Sequence, residues 1–586
     1  MQISIDIIVV IYNSERWIED FLNSLKIQHY PLEKIHLTFI DNNSKDSSYE
    51  LLNSCIFKDK FGSYEIFKQE KNIGFGAANN IGASKTNQSY IYFLNIDTEL
   101  HQDTLINLIN QAMEDDVAVG AWESRQFPYE HPKHYNPVTL EVSWSSAAAL
   151  LVRRECFQKI GGFDKEIFMY GEDVDLSWRI RNAGYKILYV PKSIIYHYTF
   201  GKNNVNRENE LLNIINSNLF LRFRYGSFKD IILGYVMCLL WAIKHRNLKL
   251  GRILIESFSK IFKSKRSNIV GTFCGWNYEI HRLGHDFHNA LPLETPLVSI
   301  IVRTNQRPEM LKEALTTIKN QTYQNIEIIV VEDGFPTSKE LVENNFKSLN
   351  IKYYATNEKV GRTKLANVGL TLATGKYFSF LDDDDLLYAD HIEVLVTSLI
   401  NNSSYKIAYT IAFETPTKLI SMNPYIYEEV CYSIEFNSKF DKQLLLIQNY
   451  FPIQSVLFSK EIYDELGGMD ESLEVLEDWD YWLKISTKQD FLFVEKTTSL
   501  YKVPYEKEAV TKRKKELIEK TDIIRGKYEV KNIQPSSSKI SFIKKVLMNF
   551  KLNQCEIIKI LKLKVQQKWY AIRSTLLKKI KIRGKI

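Results

Sequence analysis

The stretch "FLDDDDLLYADH", residues 380–391, ends an apolar run with four consecutive carboxylates. Neighbouring like charges repel, and runs of this kind normally lie in solvent. A related stretch, "FLNIDTEL" at residues 93–100, has the same apolar start, followed by Asn95 and Asp97. Two apolar strands that end in acid at distant points of one chain indicate an internal repeat.

The repeat extends in both directions from these two stretches. "DIIVVIYNSERWIEDFLNSL" starts at residue 6 and "LVSIIVRTNQRPEMLKEALTTI" at residue 297, and each combines an apolar strand, a polar turn and a helix with apolar residues three and four apart. A second strand then ends in acid, at Asp41 in the first copy and at Glu332 and Asp333 in the second. A glycine turn with a helix, the strand quoted above and a Gly-Gly segment with a third acidic group follow in both copies. The sequence therefore predicts one unit present twice.

Alternating apolar strands and amphipathic helices predict an α/β fold with a largely parallel sheet. In such sheets the ligand site lies beyond the carboxyl ends of the strands. Because acids follow strand after strand, we expect them to gather along one edge of each sheet. The expected divisions are a first unit at 1–205, a helical connector at 206–295, a second unit at 296–505 and a helical tail at 506–586.

Charge is unevenly distributed along the 586 residues, whose formal net charge is +6. Residues 539–586 contain fourteen Lys or Arg and one acid, so the rest of the chain sums to −7. The six cysteines form no CxxC pair, which favours a reducing compartment. The longest apolar run, Ile231–Ile243, is shorter than the ~20 residues that span a bilayer, and the first residues lack the pattern of a signal peptide.

Both copies resemble family 2 glycosyltransferases with the Rossmann-like GT-A fold. The first is similar to the rhamnosyltransferase-like branch in "IDNNSKDSS", "NIGFGAANNIG" and "GGFDKEIFMYGEDVDLSWRIRNAGY". The second resembles the general bacterial branch of polysaccharide synthesis in "GKYFSFLDDDDLLYADH" and "LEDWDYWLKI". The resemblance covers about 1–200 and 297–500. It implies two GT-A domains that bind nucleotide sugars and invert configuration at the anomeric carbon.

The resemblance gives the acidic run a metal-binding role. Mg²⁺ or Mn²⁺, as hard cations, bind carboxylate oxygens and keep positions for water and phosphate. Asn95 takes the place of one carboxylate in the first copy, which predicts weaker metal binding there. The alternatives are a solvated acidic loop and, for the histidine of the first copy, ordinary packing. The implied metal ligands are Asp382, Asp384 and Asp385 in the second copy and Asp97 and His197 in the first.

By the same resemblance, acids that open a later helix carry the catalysis. The second acid of each group takes the proton of the acceptor hydroxyl, a role typically worth ~10²–10⁴ in rate. The first acid contacts the acceptor or supports the base, and the third braces the donor site. The alternative is that these acids lie at helix N-termini only because the helix dipole favours negative charge there. The groups are Glu172, Asp173 and Asp175 in the first copy and Glu477, Asp478 and Asp480 in the second.

The acids that end the second strand of each copy are implied nucleotide ligands. Asp41 and Asp333 would accept hydrogen bonds from a pyrimidine, with Glu332 beside the second of them. Turn chemistry is the alternative, because Asp and Asn favour such positions anyway. The second copy departs from the family at Ala366, where an arginine is common, and it lacks a later histidine. No Walker-type lysine pattern supports nucleotide hydrolysis.

The basic tail interleaves lysines with Ile, Leu, Phe and Trp569. A basic amphipathic helix suits an anionic membrane surface, where each Lys or Arg adds ~1 kcal/mol. Nucleic-acid binding and helical oligomerisation are the alternatives, and because no nucleic-acid-binding module accompanies the tail, we expect no nucleic-acid partner. The predicted location is cytoplasmic, at the inner face of the cell membrane.

These features predict a bifunctional, metal-dependent, inverting glycosyltransferase. Its donors would be UDP-, dTDP- or GDP-sugars, and its acceptor a glycan or lipid-linked oligosaccharide of a capsule, O-antigen or similar polysaccharide. One alternative is a single active domain, the second, with the first copy as a donor- or acceptor-binding module. The other is a non-catalytic scaffold, against which the six retained acidic landmarks count.

Overall fold

The structure, a computed structural model, describes most of the chain up to residue 528. The predicted basic tail from residue 539 lies outside the described residues, as do parts of the predicted connector. The described residues are 3–198, 207–245, 249, 251, 253–255, 257, 266–422 and 424–528.

The first unit contains eight strands and six helices within its described residues. Its strands, β1 to β8, are Ile5–Ile11, Ile35–Asp41, Ser63–Lys68, Tyr90–Leu94, Thr98–Leu100, Val119–Phe127, Ala149–Arg153 and Lys186–His197. Its helices, α1 to α6, are Glu15–Lys26, Ser48–Asn53, Phe75–Lys85, Thr104–Glu114, Arg154–Lys159 and Glu172–Asn182.

The eight strands form one mixed sheet in the order β3-β2-β1-β4-β7-β6-β8-β5. Strands β3, β2, β1 and β4 are parallel to one another, whereas β7 is antiparallel to both β4 and β6. Helices cover both faces of β1, which accounts for its run of buried Ile and Val. The parallel pairing places the ends of β1, β2 and β4, and therefore Asp41 and Asn95, at one edge of the sheet.

Two long helices, α7 (Arg207–Tyr225) and α8 (Phe228–His245), follow the first unit. The second unit begins at β9. Its strands, β9 to β17, are Val298–Thr304, Ile326–Glu332, Ile351–Ala355, Tyr377–Asp382, Leu386–Leu387, Ile407–Met422, Tyr425–Glu429, Val456–Ser459 and Leu492–Pro504. Its helices, α9 to α16, are Pro308–Lys319, Lys339–Asn345, Arg362–Leu372, His391–Asn401, Lys442–Ile447, Lys460–Leu466, Glu477–Ser486 and Lys507–Lys527.

The second sheet repeats the strand order of the first. Its order is β11-β10-β9-β12-β16-β14-β17-β13, which matches the first sheet position by position. Strand β15 is an addition that pairs with the end of β14 alone. The predicted α/β class with two GT-A units is confirmed. The predicted parallel pairing holds for the first four strands of each sheet, and antiparallel pairs follow in both.

The connector after residue 266 runs between the two units and bonds to both. His134 N–H donates to Ile280 O at 2.8 Å on the side of the first unit. Thr497 N–H, on β17 of the second unit, donates to Leu283 O at 3.0 Å. No helix in the described part of the chain is long and apolar enough to cross a bilayer.

Buried charges join the two units directly. Arg282 of the connector lies 3.2 Å from Asp390, which also pairs with Lys496 at 2.6 Å. Glu130 of the first unit lies 3.5 Å from Arg282 and 3.6 Å from Lys496. Arg125 of the first unit pairs with Glu393 of the second at 2.9 Å. Because every charge in this cluster has an opposite charge beside it, the cost of burying the cluster is offset.

Candidate active sites

The second unit gathers its acidic run at the end of β12. One oxygen each from Asp382, Asp384 and Asp385 lies within 4.8 Å of the others. The side chains of Asp382 and Asp384 are 15% and 39% exposed, so the group opens to solvent on one side. Three carboxylate oxygens with an open side fit a hard divalent cation that keeps water and phosphate ligands.

Three arginines neutralise this acidic run. Arg303, at the end of β9, donates to both oxygens of Asp382 at 2.7 and 3.0 Å. Arg362, the first residue of α11, reaches the same carboxylate at 3.0 Å. Arg307 donates to Asp383 and lies 3.3 Å from Asp384. The repulsion expected from four adjacent carboxylates is thus offset by arginines from β9, from the turn after β9 and from the start of α11.

The arginines and burial shift the pKa values of the acids in this run in different directions. Burial raises the pKa of Asp382, but Arg303 and Arg362 outweigh it, and the pKa ends below its ordinary value. Burial raises the pKa of Asp383 to about 7 even beside Arg307. Burial and the neighbouring acids raise the pKa of Asp385 well above its ordinary range. Among Asp382, Asp383 and Asp385, the surroundings therefore favour the ionised form at Asp382 and disfavour it at the other two.

The acid pair that opens α15, Glu477 and Asp478, lines one cavity together with Asp382, Asp384 and Asp385. Glu477 is almost fully buried and lies 2.8 Å from Arg303 and 3.2 Å from Arg362. Asp478 accepts a hydrogen bond from Asn449 Nδ2 at 2.8 Å. Burial and the charge of Glu477 raise the pKa of Asp478 to about 6. A carboxyl with this pKa is largely ionised at neutral pH yet more basic than an ordinary Asp, as a general base requires.

A cavity of about 830 Å³ brings the candidate metal ligands and the candidate base of the second unit together. Its lining includes Asp382, Asp384, Asp385, Glu477 and Asp478. Helix α16, beyond the predicted end of the unit at residue 505, closes another side with Val510, Arg513 and Leu517. The volume lies in the range of small-molecule sites, with room for a nucleotide sugar and part of an acceptor.

The third acid of each group holds the helix that follows its unit. In the first unit Asp175 is buried, bonded to Tyr225 at the end of α7 and 2.8 Å from Arg179. In the second unit Asp480 pairs with Lys527 at 2.8 Å and accepts from Tyr528 at 3.1 Å, at the end of α16. Helices α7 and α16 are therefore equivalent, and the repeat extends beyond the predicted boundaries at 205 and 505. The predicted role of both acids in bracing the donor site stays a prediction.

The acids that end the second strands have different surroundings in the two units. Asp333 accepts from Val360 N–H at 2.7 Å and from Gly361 N–H at 3.3 Å, and so fixes the loop before α11. Asp41 accepts from Ser44 N–H at 2.8 Å through one oxygen, and its other buried oxygen has no hydrogen-bond partner. This second oxygen lies 4.0 Å from Lys68 Nζ, and the predicted role of Asp41 in nucleotide binding stays a prediction.

Glu332 lies beside Asp333 but points into its own turn. It is fully buried and accepts hydrogen bonds from Thr337, Ser338 and Tyr353. With these partners Glu332 stabilises the turn after β10, and we leave it out of the proposed donor site.

The candidate metal site of the first unit has fewer charges. Asp97 Oδ2 lies 3.4 Å from His197 Nε2, and the other ring nitrogen of His197 lies 3.2 Å from Gln126 Oε1. The buried Oδ1 of Asn95 has no hydrogen-bond partner. In the described part of the chain a group of three metal-ligating acids or histidines occurs at Asp382, Asp384 and Asp385, and none occurs in the first unit. The carboxylate of Asp97 is a ligand type that suits Mg²⁺ or Mn²⁺, whereas the imidazole of His197 is a ligand type more typical of later transition metals.

The first unit also has a buried acid pair at the start of its helix, α6. Burial and the charge of Asp173 raise the pKa of Glu172 to about 8, and burial raises the pKa of Asp173 to about 6. Oε2 of Glu172 is buried without a hydrogen-bond partner. Lys133, whose charge lowers the pKa of Asp173, is held by Glu123 at 2.6 Å.

The sequence did not predict that a residue of the connector lies beside the acid pair of the first unit. The charges of Asp173 and Glu172 both act on the buried phenol of Tyr278, so this connector residue lies beside the acid pair. Its ring lies 6.0 Å from that of Trp144, whose indole N–H has no hydrogen-bond partner. A connector residue more than 100 positions from the pair carries no periodicity that would place it there.

A family model described as "Glycosyl transferase family 2" matches residues 6–175 and 299–466. This chain belongs to glycosyl transferase family 2. The matches cover most strands of the two sheets and end before β8 and β17, respectively. A second model, "Glycosyltransferase like family 2", matches residues 139–212, which include Asp173 and His197.

Curated relatives match part of this family 2 chain. An uncharacterized glycosyltransferase of Haemophilus influenzae is 29% identical over 206 residues, 33% of this chain and 60% of that protein. One of Rickettsia prowazekii is 31% identical over 198 residues, 32% of this chain and 58% of that protein. The chain thus spans about 60% of the length of these relatives.

Solved structures of low identity also match. A mannosyltransferase of Pyrobaculum calidifontis, solved with GDP-Man and Mn²⁺, is 16% identical with a TM-score of 0.33, covering 46% of this chain and 77% of that one. S. aureus TarS is 18% identical with a TM-score of 0.29, covering 38% of this chain and 40% of that one.

Proposed function

We propose that the chain is a bifunctional inverting glycosyltransferase in which each unit transfers a sugar from a nucleotide-sugar donor to a growing glycan. The cavity of the second unit carries the proposal, because it joins a three-carboxylate metal site to a carboxyl whose pKa is raised to about 6. Family membership supports the same reaction class. The donors are UDP-, dTDP- or GDP-sugars, and the product is a cell-surface polysaccharide such as a capsule or O-antigen.

Asp478 is the proposed base of the second unit. As the acceptor hydroxyl oxygen bonds to the anomeric carbon, its proton passes to Asp478, and the bond from that carbon to the diphosphate oxygen breaks. Attack from the face opposite the nucleotide inverts the centre. Asn449 holds the carboxylate in place, and Glu477 is kept from turning by Arg303 and Arg362.

The departing diphosphate needs positive charge beside it. Asp382, Asp384 and Asp385 would hold Mg²⁺ or Mn²⁺, which supplies Lewis-acid neutralisation of the phosphate oxygens. Arg303 and Arg362 line the same cavity. Arg362 is about half exposed and bridges Asp382 and Glu477, so it is positioned to pair with a phosphate when the donor binds.

In the same scheme Asp173 is the proposed base of the first unit. Its proposed metal ligands are Asp97, His197 and Asn95. A second candidate function is favoured by the smaller donor set of this site: the second unit alone catalyses, and the first binds donor or acceptor. Assays with candidate nucleotide sugars and a synthetic acceptor would compare Asp173→Asn, Asp478→Asn and the double variant. Loss of one distinct transfer step in each single variant supports two active units. Loss in Asp478→Asn alone supports the second candidate.

The acceptor of the proposed reaction is a glycan or a lipid-linked oligosaccharide. The basic tail from residue 539 supports a peripheral location on the inner face of the cell membrane, because its net charge of +13 attracts anionic lipid. Deleting residues 539–586 should shift the protein from the membrane to the soluble fraction. Full retention on membranes would remove the tail from the proposal.

A further inference from the structure

Helix α8 is apolar around its whole circumference. One side packs on α7, where Cys238 is fully buried and Tyr235 and Trp241 contact the cluster of Leu212, Ile215 and Leu219. A helix with apolar residues on all sides normally has all sides covered. The contacts with α7 account for only one of them.

The opposite side of α8 is exposed in its described residues. The exposed fractions are 49% for Ile232, 61% for Leu240 and 66% for Ile243. Their spacings of eight and three residues place them on one side of the helix. Further exposed members of this face are Phe228, Val236, Leu239 and, from the following segment, Ile255. A shallow recess of about 410 Å³, lined by apolar side chains, lies between Leu239 and Ile255. We call these seven residues the α8 face.

Charge decides which occupant fits the α8 face. Lys229 and Lys244 are exposed near the two ends of the helix. The sequence from Lys244 to Arg266 contains eight Lys or Arg and one acid, a net charge of +7. A second copy of this face carries the same charge, and the basic tail of the chain carries +13, so both are repelled. An anionic lipid surface attracts the basic residues and accepts the apolar ones.

We propose that α8 lies parallel to the surface of an anionic bilayer, with the α8 face inserted among the lipid headgroups and the upper acyl chains. The 18 residues of α8 give a contact about 27 Å long. The helix does not cross the bilayer. This contact is separate from the tail, and it does not depend on which sugars the chain transfers or on whether both units are active.

Sedimentation with lipid vesicles tests the contact in the full chain. The test variant is Ile232→Gln/Leu240→Gln/Ile243→Gln, and vesicles of phosphatidylcholine alone are compared with vesicles that also contain phosphatidylglycerol. Because the tail is intact, its contribution is constant. We expect the partition coefficient on anionic vesicles to fall at least tenfold. The matched control, Ile56→Gln/Leu293→Gln, changes two residues that are 95% and 92% exposed elsewhere, and should bind like wild type.

A local readout separates this contact from tail binding. An environment-sensitive fluorescent amino acid in place of Leu240 should shift to the blue when anionic vesicles are added, and the same probe in place of Ile56 should not. Unchanged sedimentation of the triple variant, or no shift at position 240, would overturn the proposal. A lipid-free dimer that the triple substitution dissociates would assign the α8 face to a second copy instead. Equal binding to both vesicle types would refute the role of charge.

Discussion

Arg125 of the first unit donates two hydrogen bonds to Glu393 of the second, at 2.9 and 3.2 Å, across 268 positions of sequence. Both side chains are at least 95% buried. A bidentate pair at such depth excludes water and fixes the relative orientation of the elements that carry it. The two units are thus fastened by a charged contact as well as by the connector.

Breaking this pair should destabilise the chain strongly. Glu393→Gln leaves the guanidinium of Arg125 buried with its nearest remaining carboxylate, Glu130, at 3.9 Å. We expect a loss of about 3–5 kcal/mol in the free energy of unfolding, measured by urea denaturation. Glu343→Gln, which removes the exposed pair with Lys339, is the control and should cost less than about 1 kcal/mol. Equal effects of the two substitutions would contradict a special role for the buried pair.

Activity of the second unit should depend on pH through Asp478. The ionised carboxylate is the base, and its pKa is raised to about 6. The rate should therefore be constant above about pH 7 and fall about tenfold per pH unit well below 6. Asp478→Asn should lower the rate by about 10²–10⁴ and abolish this dependence. Asp464→Asn, on an exposed pair of α14, should leave rate and profile unchanged. A profile in Asp478→Asn with the same inflection would assign the titration to another group.

The two units should differ in their need for metal. The three carboxylates of the second unit should hold a cation more tightly than Asp97, His197 and Asn95 of the first unit, because fewer negative charges face the ion in the first unit. In a titration of Mn²⁺ into chelator-treated protein, Asp478→Asn reports the first unit and Asp173→Asn the second. We expect half-maximal transfer at a higher Mn²⁺ concentration in the first unit. Electron paramagnetic resonance of bound Mn²⁺ gives the same order without an activity assay, and tighter binding by the first unit would refute it.

Asp480 should stabilise helix α16 rather than bind the donor. Asp480→Asn weakens the pair with Lys527 and should cost about 1–3 kcal/mol, seen as faster limited proteolysis within residues 507–527. Asp470→Asn removes the more exposed partner of the same lysine and should have a smaller effect. The KM for the donor should change little in either variant. A large rise in the donor KM with normal proteolysis would restore Asp480 to the donor site.

The features that could be predicted from the sequence are those that a local pattern of residues encodes. Strands, turns and helices have short periods, and an acid at the end of each strand could be placed at one edge of a parallel sheet. The structure brings Asp382, Asp384 and Asp385 together there. Residues whose partners lie far along the chain were beyond prediction. Arg303 meets Asp382 79 positions away, and Tyr278 reaches the first site from the connector.

The role of the third acids shows the same limit from the other side. Asp175 and Asp480 share the spacing of functional acids in the repeat, and spacing alone could not distinguish a ligand contact from a helix contact. Their partners, Tyr225 and Tyr528, stand 50 and 48 positions downstream. Similar offsets in both copies would have been a usable signal, but it lay beyond the boundaries drawn at 205 and 505.

The buried charges between the units set a geometric condition on any glycan that both sites extend. Arg125, Arg282 and Lys496 are each paired across or beside the junction, so neither unit can swing toward the other without separating a buried charge from its partner. The distance and orientation between the two candidate sites are therefore fixed. Under the proposed function, a chain end released by one unit reaches the other by its own bending, and short or stiff oligosaccharides should be passed on less efficiently than long, flexible ones.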